Sequence, residues 1–300
     1  MYHNVVPSSA SEGHDEQAIT LREANFVSHV RRLKRVFRFV SLDEYLGEWR
    51  ERGVQPFRKA VLTIDDGTWS TFEYGVRHLI GLNIPSLIFV NSCQIDDGPL
   101  IWGAYLNALC FDSQYEIIEV EDSLFPIRTK EERHASRQSL VRLARICSSP
   151  QKRVSSWAER YPISEGVLKY YRGLSTTQLL EAGESSLVEI GVHTHTHPFL
   201  STLSRSEQER EIGLNKEILE EKVSQPIKYM AYPSGDYDTH TLELVKEMGF
   251  QAACAVKMKE EDSSIIHQLP RVGVYSASVS RLVALALRER CLLQQLRFEK

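Results

Sequence analysis

Along this chain, short apolar runs alternate with longer stretches whose apolar residues recur at helical spacing. The run Ala60-Val61-Leu62-Thr63-Ile64 has the profile of a buried strand and stops abruptly at Asp65-Asp66-Gly67. Upstream, the spacing of Leu21, Phe26, Val30 and Leu33 predicts an amphipathic helix over 18–35, and a second short helix is expected over Leu42–Arg52. Residues 8–17 are small, polar and charged without an apolar period, and read as a mobile loop. Downstream, a helix near 72–82 leads to a strand at Ser86–Val90, and a helix near 176–182 leads to a strand at 187–192. A charged helix at 206–222 precedes a strand at 227–232, and a helix at 239–248 precedes strands near 252–256 and 271–275. Repeated βα units with apolar strands predict parallel strands covered by helices, as an open sheet or a barrel.

The stretch 102–171 breaks this rhythm. Segments 115–120 and 124–128 predict a hairpin around Glu121-Asp122-Ser123, and helical segments follow at 130–147 and 151–161. We read it as an insertion subdomain between two core strands of a single domain spanning 1–300. A lid or substrate wall and an added packing layer explain it equally well. The final stretch, 280–296, predicts an apolar amphipathic helix of little net charge, suited to closing the core or forming a homo-oligomer face rather than to membrane contact.

Bulk properties narrow the function. An apolar content of 42 % and a charged content of 25 % are those of a globular chain, not a disordered one. The formal net charge of −4, with both signs interspersed, argues against nucleic-acid binding, which needs a concentrated basic surface. Cys93, Cys110, Cys147, Cys254 and Cys291 are scattered without zinc-knuckle or redox spacing, so buried thiols in a reducing compartment are expected. No run reaches the length of a membrane span, and the first residues lack the apolar core of a signal peptide. The expected location is therefore cytoplasmic.

Two places carry chemistry, both where strands end. Adjacent carboxylates at Asp65 and Asp66 repel in a low dielectric, and a cation on one of them would relieve the cost. Taken alone, two solvated aspartates in a turn explain the pair better. The second place is His193-Thr194-His195-Thr196-His197-Pro198, three histidines in five residues directly after an apolar strand. Packing does not explain such a cluster, whereas neutral imidazole is a common ligand of zinc and similar ions. His193 and His197 have i, i+4 spacing, although the preceding strand and Pro198 favour a strand-to-turn setting over a helix. His195 is left without a role. Two histidines and one carboxylate form a facial set for a hydrolytic divalent metal, zinc being the expected one, with the second carboxylate free to act as base. Spacing alone does not say which aspartate does which.

These residues resemble the polysaccharide deacetylases of the nodulation-protein homology family, also grouped as carbohydrate esterase family 4. Thr63 to Gly67 is similar to the family's first motif, with Ile64 in place of Phe. His193 to His197 resembles the second, continuing through Pro198-Phe199-Leu200-Ser201-Thr202-Leu203-Ser204, and Tyr229 to Gly235 resembles the third. The resemblance implies a distorted (β/α) barrel of about seven parallel strands, with the site at the strands' C-terminal ends. It implies Asp65 as general base, Asp66, His193 and His197 as metal ligands, and a backbone N–H near Tyr232 as oxyanion donor. The implied partner is an N-acetylated sugar, oligosaccharide or lipid-linked glycan.

Two departures stand out. Where the third motif often begins with an Arg that orients the base, this chain has Ala231; Arg271 is expected to reach Asp65 from a neighbouring strand end, a surface salt bridge being the alternative. The histidine acid of the usual fifth motif is absent. His267 precedes a strand and fits poorly, which leaves Asp65 itself once protonated, or His3, to protonate the leaving group. Trp102, Tyr170 and Tyr171 border the insertion, as sugar platforms or as core. Three functions follow: an N-acetylhexosamine deacetylase, an amidohydrolase on a small non-sugar amide, and a catalytically impaired carbohydrate-binding protein.

Overall fold

Six short strands, each with a predominantly apolar sequence, pair in parallel in the order of the chain: Leu62–Ile64, Ser86–Val90, Val188–Val192, Tyr229–Ala231, Ala252–Ala255 and Leu269–Pro270. A parallel bridge from Tyr2 to Ile64 extends the edge beyond the first of them. The computed structural model describes residues 1–146, 149–258 and 265–275, with Ser278, Ser280 and Ala284. Sequential neighbours throughout, with helices between them, make a distorted, open (β/α) barrel-like sheet.

Alternation along the strands separates two apolar layers. Ile88, Val90, Met230 and Ala253 face outward onto a belt of helices that contributes Phe26, Val30, Leu79, Leu179, Ile212 and Val245. Leu87, Phe89, Tyr229, Ala252 and Cys254 face the other way and pack against Leu42, Leu46 and Trp49. Those three lie on the helix Leu42–Arg52, which has the predicted bounds; Ser41 accepts from the N–H of Glu44 to start it, and Gly53 at φ 68° ends it.

The insertion builds a core of its own from Trp102, Leu106, Leu109, Ile118, Leu140, Val154 and Trp157, joined by Phe199 from the histidine loop. Its hairpin pairs Ile117–Val120 with Ser123–Pro126. The two turn residues, Glu121 and Asp122, have φ of 51° and 58°, the left-handed pair that matches strand twist in a two-residue loop.

Three expectations are corrected. The helix predicted over 18–35 begins only at Glu23, because Thr20–Arg22 pairs in parallel with Asn4–Val6 and strand pairing overrides the helical spacing. The expected loop at 8–17 contains a short helix, Gly13–Glu16, and buries His14 and Gln17. The strand expected at 271–275 is instead Leu269–Pro270, and past it the chain leaves the ladder. Of the two alternatives for the aromatics bordering the insertion, Trp102, Tyr170 and Tyr171 take the buried one. The helix predicted over 280–296 lies outside the described residues, as do Cys147 and Cys291. Cys93, Cys110 and Cys254 are free thiols. Among the described residues, no helix is long and apolar enough to cross a membrane.

Candidate metal centre

The chain leaves the strand Leu62–Ile64 into a tight turn. Asp66 takes a left-handed φ of 70° and Gly67 one of 57°. A side chain at Gly67 would meet Val90 at 3.0 Å, so both backbone angle and space call for glycine there. Gln94 Nε2 donates to the Asp66 carbonyl (2.5 Å) and the Leu174 N–H to the Gly67 carbonyl (3.0 Å), which pins the turn. The reversal sends the two neighbouring carboxylates to different partners.

The histidine loop is held as tightly. The His193 N–H donates to the Val90 carbonyl (3.2 Å) and to Asn215 Oδ1 (3.1 Å), while Asn215 Nδ2 donates to the Val90 carbonyl (3.1 Å). Asn91 Nδ2 donates to the carbonyls of His193 and Thr194. His193 Nδ1 lies 2.8 Å from the Ala231 carbonyl, which requires Nδ1 to carry the proton and leaves the Nε2 lone pair for a ligand. His197 sits at φ 57°, with its N–H donating to Thr194 Oγ1 (3.2 Å) and its carbonyl accepting from Trp102 Nε1 (2.7 Å).

Asp66 Oδ1 then stands 3.5 Å from His193 Nε2 and 3.6 Å from His197 Nε2. All three ligand atoms lie within 4.8 Å of one another. Four donors placed tetrahedrally at about 2.1 Å from an ion are roughly 3.4 Å apart, so the two short separations are those of a shared cation. They are too long for ordinary hydrogen bonds. Among the described residues Asp66 Oδ1 is buried with no hydrogen-bond partner, an arrangement that a positive ion would satisfy. The set fits a divalent cation.

Charge reinforces the geometry. Burial opposes ionisation of Asp66, but His193 and His197 hold its carboxyl far below the usual range. Burial pushes the His197 imidazole down to about 4, favouring the neutral form a metal needs. Burial acts the same way on His193, yet the adjoining Asp66 carboxylate wins and its pKa is raised. Asp65 is buried too; the Arg271 guanidinium outweighs that burial and keeps its pKa low.

Arg271 forks onto Asp65, with contacts of 2.6 Å to Oδ1 and 2.8 Å to Oδ2, and rests over the Phe89 ring at 5.3 Å. His3 Nε2 is 4.0 Å from Asp65 Oδ2. His195 turns away, its Nδ1 2.8 Å from Ser92 Oγ. His267 is engaged elsewhere, with Nε2 3.0 Å from the Phe250 carbonyl. Tyr232 lines the cleft, but its own N–H already donates to the Cys254 carbonyl (3.1 Å) and its hydroxyl to the His267 carbonyl (2.7 Å). Pro233 has no N–H, so the next backbone donor along the chain is Ser234, which has φ 55° and also lines the cleft. Asn91 and Asn215 were not among the sequence candidates. Asn215 had a signal: Gln208, Ile212, Asn215 and Leu219 share the buried face of one helix, and a polar residue at a core position wants a partner.

The cleft above these groups has a volume of about 310 Å³, and its wall includes Trp102, Asn107, Arg137 and Tyr171. Comparison with known proteins brings in relatives. The family description "Polysaccharide deacetylase" matches residues 153–253, a segment holding His193, His197 and Tyr232. Over that third of its length the chain is similar to the polysaccharide deacetylases. Asp65, Asp66 and Arg271 lie outside the matched segment, so the fold is what carries them to the family's histidines.

Solved structures agree on that fold. The deacetylase PplD of Streptococcus pyogenes, in complex with acetate, superposes with a TM-score of 0.59 at 14 % identity, covering 95 % of this chain and 96 % of its own. IcaB from Ammonifex degensii gives 0.59 at 18 %, covering 95 % and 99 %. The polysaccharide deacetylase BC0361 of Bacillus cereus gives 0.58 at 15 %, covering 95 % and 67 %. A comparison with curated protein sequences gave no match.

Proposed function

We propose that this protein is a metal-dependent hydrolase of the polysaccharide deacetylase type that removes N-acetyl groups from an N-acetylhexosamine in a glycan or glycan precursor. One observation carries the reading: a carboxylate and two imidazoles at cation spacing, beside a second buried carboxylate kept ionised by an arginine. The acetate in the PplD complex is the acid that such a reaction would release. Asp66, His193 and His197 would hold the ion, and zinc suits their donors. A divalent cation there supplies Lewis acidity toward the acyl oxygen and lowers the pKa of water.

The remaining work falls to the chain. Asp65, ionised at neutral pH, accepts the proton of the water that attacks the acetamide carbonyl. Its low pKa makes it a weak base that gives the proton up again, and His3 at 4.0 Å can pass it to the departing nitrogen as the C–N bond breaks. The Ser234 N–H donates to the developing oxyanion, in the place first considered for the backbone beside Tyr232. Acetate and a free amine on the sugar are the products.

The test combines metal content with turnover. Purified protein should hold about one divalent ion per chain and release acetate from N-acetylglucosamine oligosaccharides in a metal-dependent way. Asp66→Asn should lose both the ion and the activity. A wild-type protein that binds the metal and leaves every N-acetylated sugar intact would overturn the reading.

A further inference from the structure

Four arginines of the insertion have known partners at its surface or edge: Arg153 pairs with Glu121, Arg133 with Glu16, Arg160 with Glu119 and Arg128 with Glu116. Arg137, on the helix Lys130–Arg145, does not follow this habit. Its Nε donates to Asn107 Oδ1, and among the described residues neither Nη atom has an acceptor and no carboxylate pairs with it. The side chain is only partly exposed, and the titratable groups that act on it are Cys110 and Tyr171, neither an acid at neutral pH. A guanidinium cannot shed its proton, so partial burial without a counterion costs stability. Asp112, the nearest acid to Tyr171, is taken up by Ser11, Gln17 and Tyr171 itself.

Arg137 lines the same cleft as Asp65, Asp66, His193 and His197. One helix, Trp102–Asn107, fixes the relation between them. Its first residue donates to the His197 carbonyl and its last holds the Arg137 guanidinium. Five residues of rise separate those ends by roughly 7 Å along the axis. We propose that Arg137 is an anion-recognition residue, selecting N-acetylated sugars that carry a carboxylate or phosphate on the reacting ring or its neighbour. This rests on the deacetylase reading and adds the charge class of the substrate. The planar fork suits either oxyanion, and the cleft already supplies the positive charge that a neutral glycan leaves unmatched.

The test measures equilibrium binding to the metal-loaded protein, with three probes: N-acetylglucosamine, N-acetylglucosamine 1-phosphate and N-acetylmuramic acid. Wild type should bind at least one charged probe about tenfold or more tightly than the neutral one, and the better of the two identifies phosphate or carboxylate as the preferred anion. Arg137→Gln should bring that ratio close to one. Arg137→Lys, which keeps the charge and loses the fork, should lower it several-fold and carries the test if the glutamine variant does not fold. Equal binding of all three probes by wild type overturns the proposal. So does a preference that persists in Arg137→Gln, because the anion would then be held by the metal or another group. Acetate release from a neutral oligosaccharide is read separately. Charge preference without acetate release sinks the deacetylase reading alone, and acetate release without charge preference sinks only this one.

Discussion

Asp65 and Asp66 are neighbours in sequence with opposite environments, and the left-handed backbone at Asp66 is what parts them. Arg271 is the group whose loss should show this most clearly. With the guanidinium gone, burial alone acts on Asp65 and its pKa rises. The native carboxyl is depressed, so the pair's contribution is full above the ordinary carboxylate range and disappears as pH falls through the folded pKa. Arg271→Ala should therefore cost about 3–5 kcal/mol of unfolding free energy at neutral pH. It should also move the acid limb of the pH–rate profile upward; denaturant titration and kcat/KM across pH check both, and an unmoved limb would remove Arg271 from the site. A second residue-scale expectation concerns His193. Its raised pKa means protons compete with the metal at higher pH than for an ordinary imidazole. On acidification, metal affinity, measured by competition with a chelator, should begin to fall while the pH is still above the usual imidazole value of about 6.5. The four charged and imidazole side chains at 65, 66, 193 and 197 were legible in the sequence because unlike residues clustered where strands end. The partner of Asp65 was an inference with an equal alternative. Ser234 was not legible, since which N–H is free depends on the neighbouring strand's hydrogen bonds.

At the scale of elements, apolar spacing located most strands and helices closely, as at Leu42–Arg52 and Ser86–Val90. It failed where distant chain supplies the energy. Nothing local in Thr20–Arg22 announces a strand, because its partner at Asn4–Val6 is brought by the fold. The helix Arg205–Val223 shows how an element can serve the site without lining the cleft. Its Asn215 is fully buried and ties the end of one strand to the start of the histidine loop. Asn215→Ala should lose about 1–3 kcal/mol through the backbone groups left short of partners. The looser loop should weaken metal binding by roughly 10- to 100-fold. Thermal unfolding with and without metal separates the two effects, and a variant with wild-type metal affinity would reduce Asn215 to packing.

For the whole molecule, apolar patterning predicts barrel-like βα alternation and an interruption near 102–171, and the structure realises both as one sheet with an extra core beside the cleft. What periodicity could not supply was the use of that extra core. Trp102 joins it to the histidine loop through the His197 carbonyl, so the insertion is coupled to the ligand set. Trp102→Phe keeps the ring and deletes the donor. It should lower metal affinity more than it lowers the unfolding temperature, and titration calorimetry against a melting curve decides this.

Because the sheet is laid down in chain order, the centre is not completed all at once. Asp66, His193 and His197 are all synthesised before residue 198, whereas Arg271 follows the last described strand, Leu269–Pro270. A nascent chain thus owns all three candidate ligands well before the counterion of Asp65 exists. On the proposed reading, cation capture can precede catalytic competence, leaving a growing polypeptide that is loaded but idle until Arg271 docks.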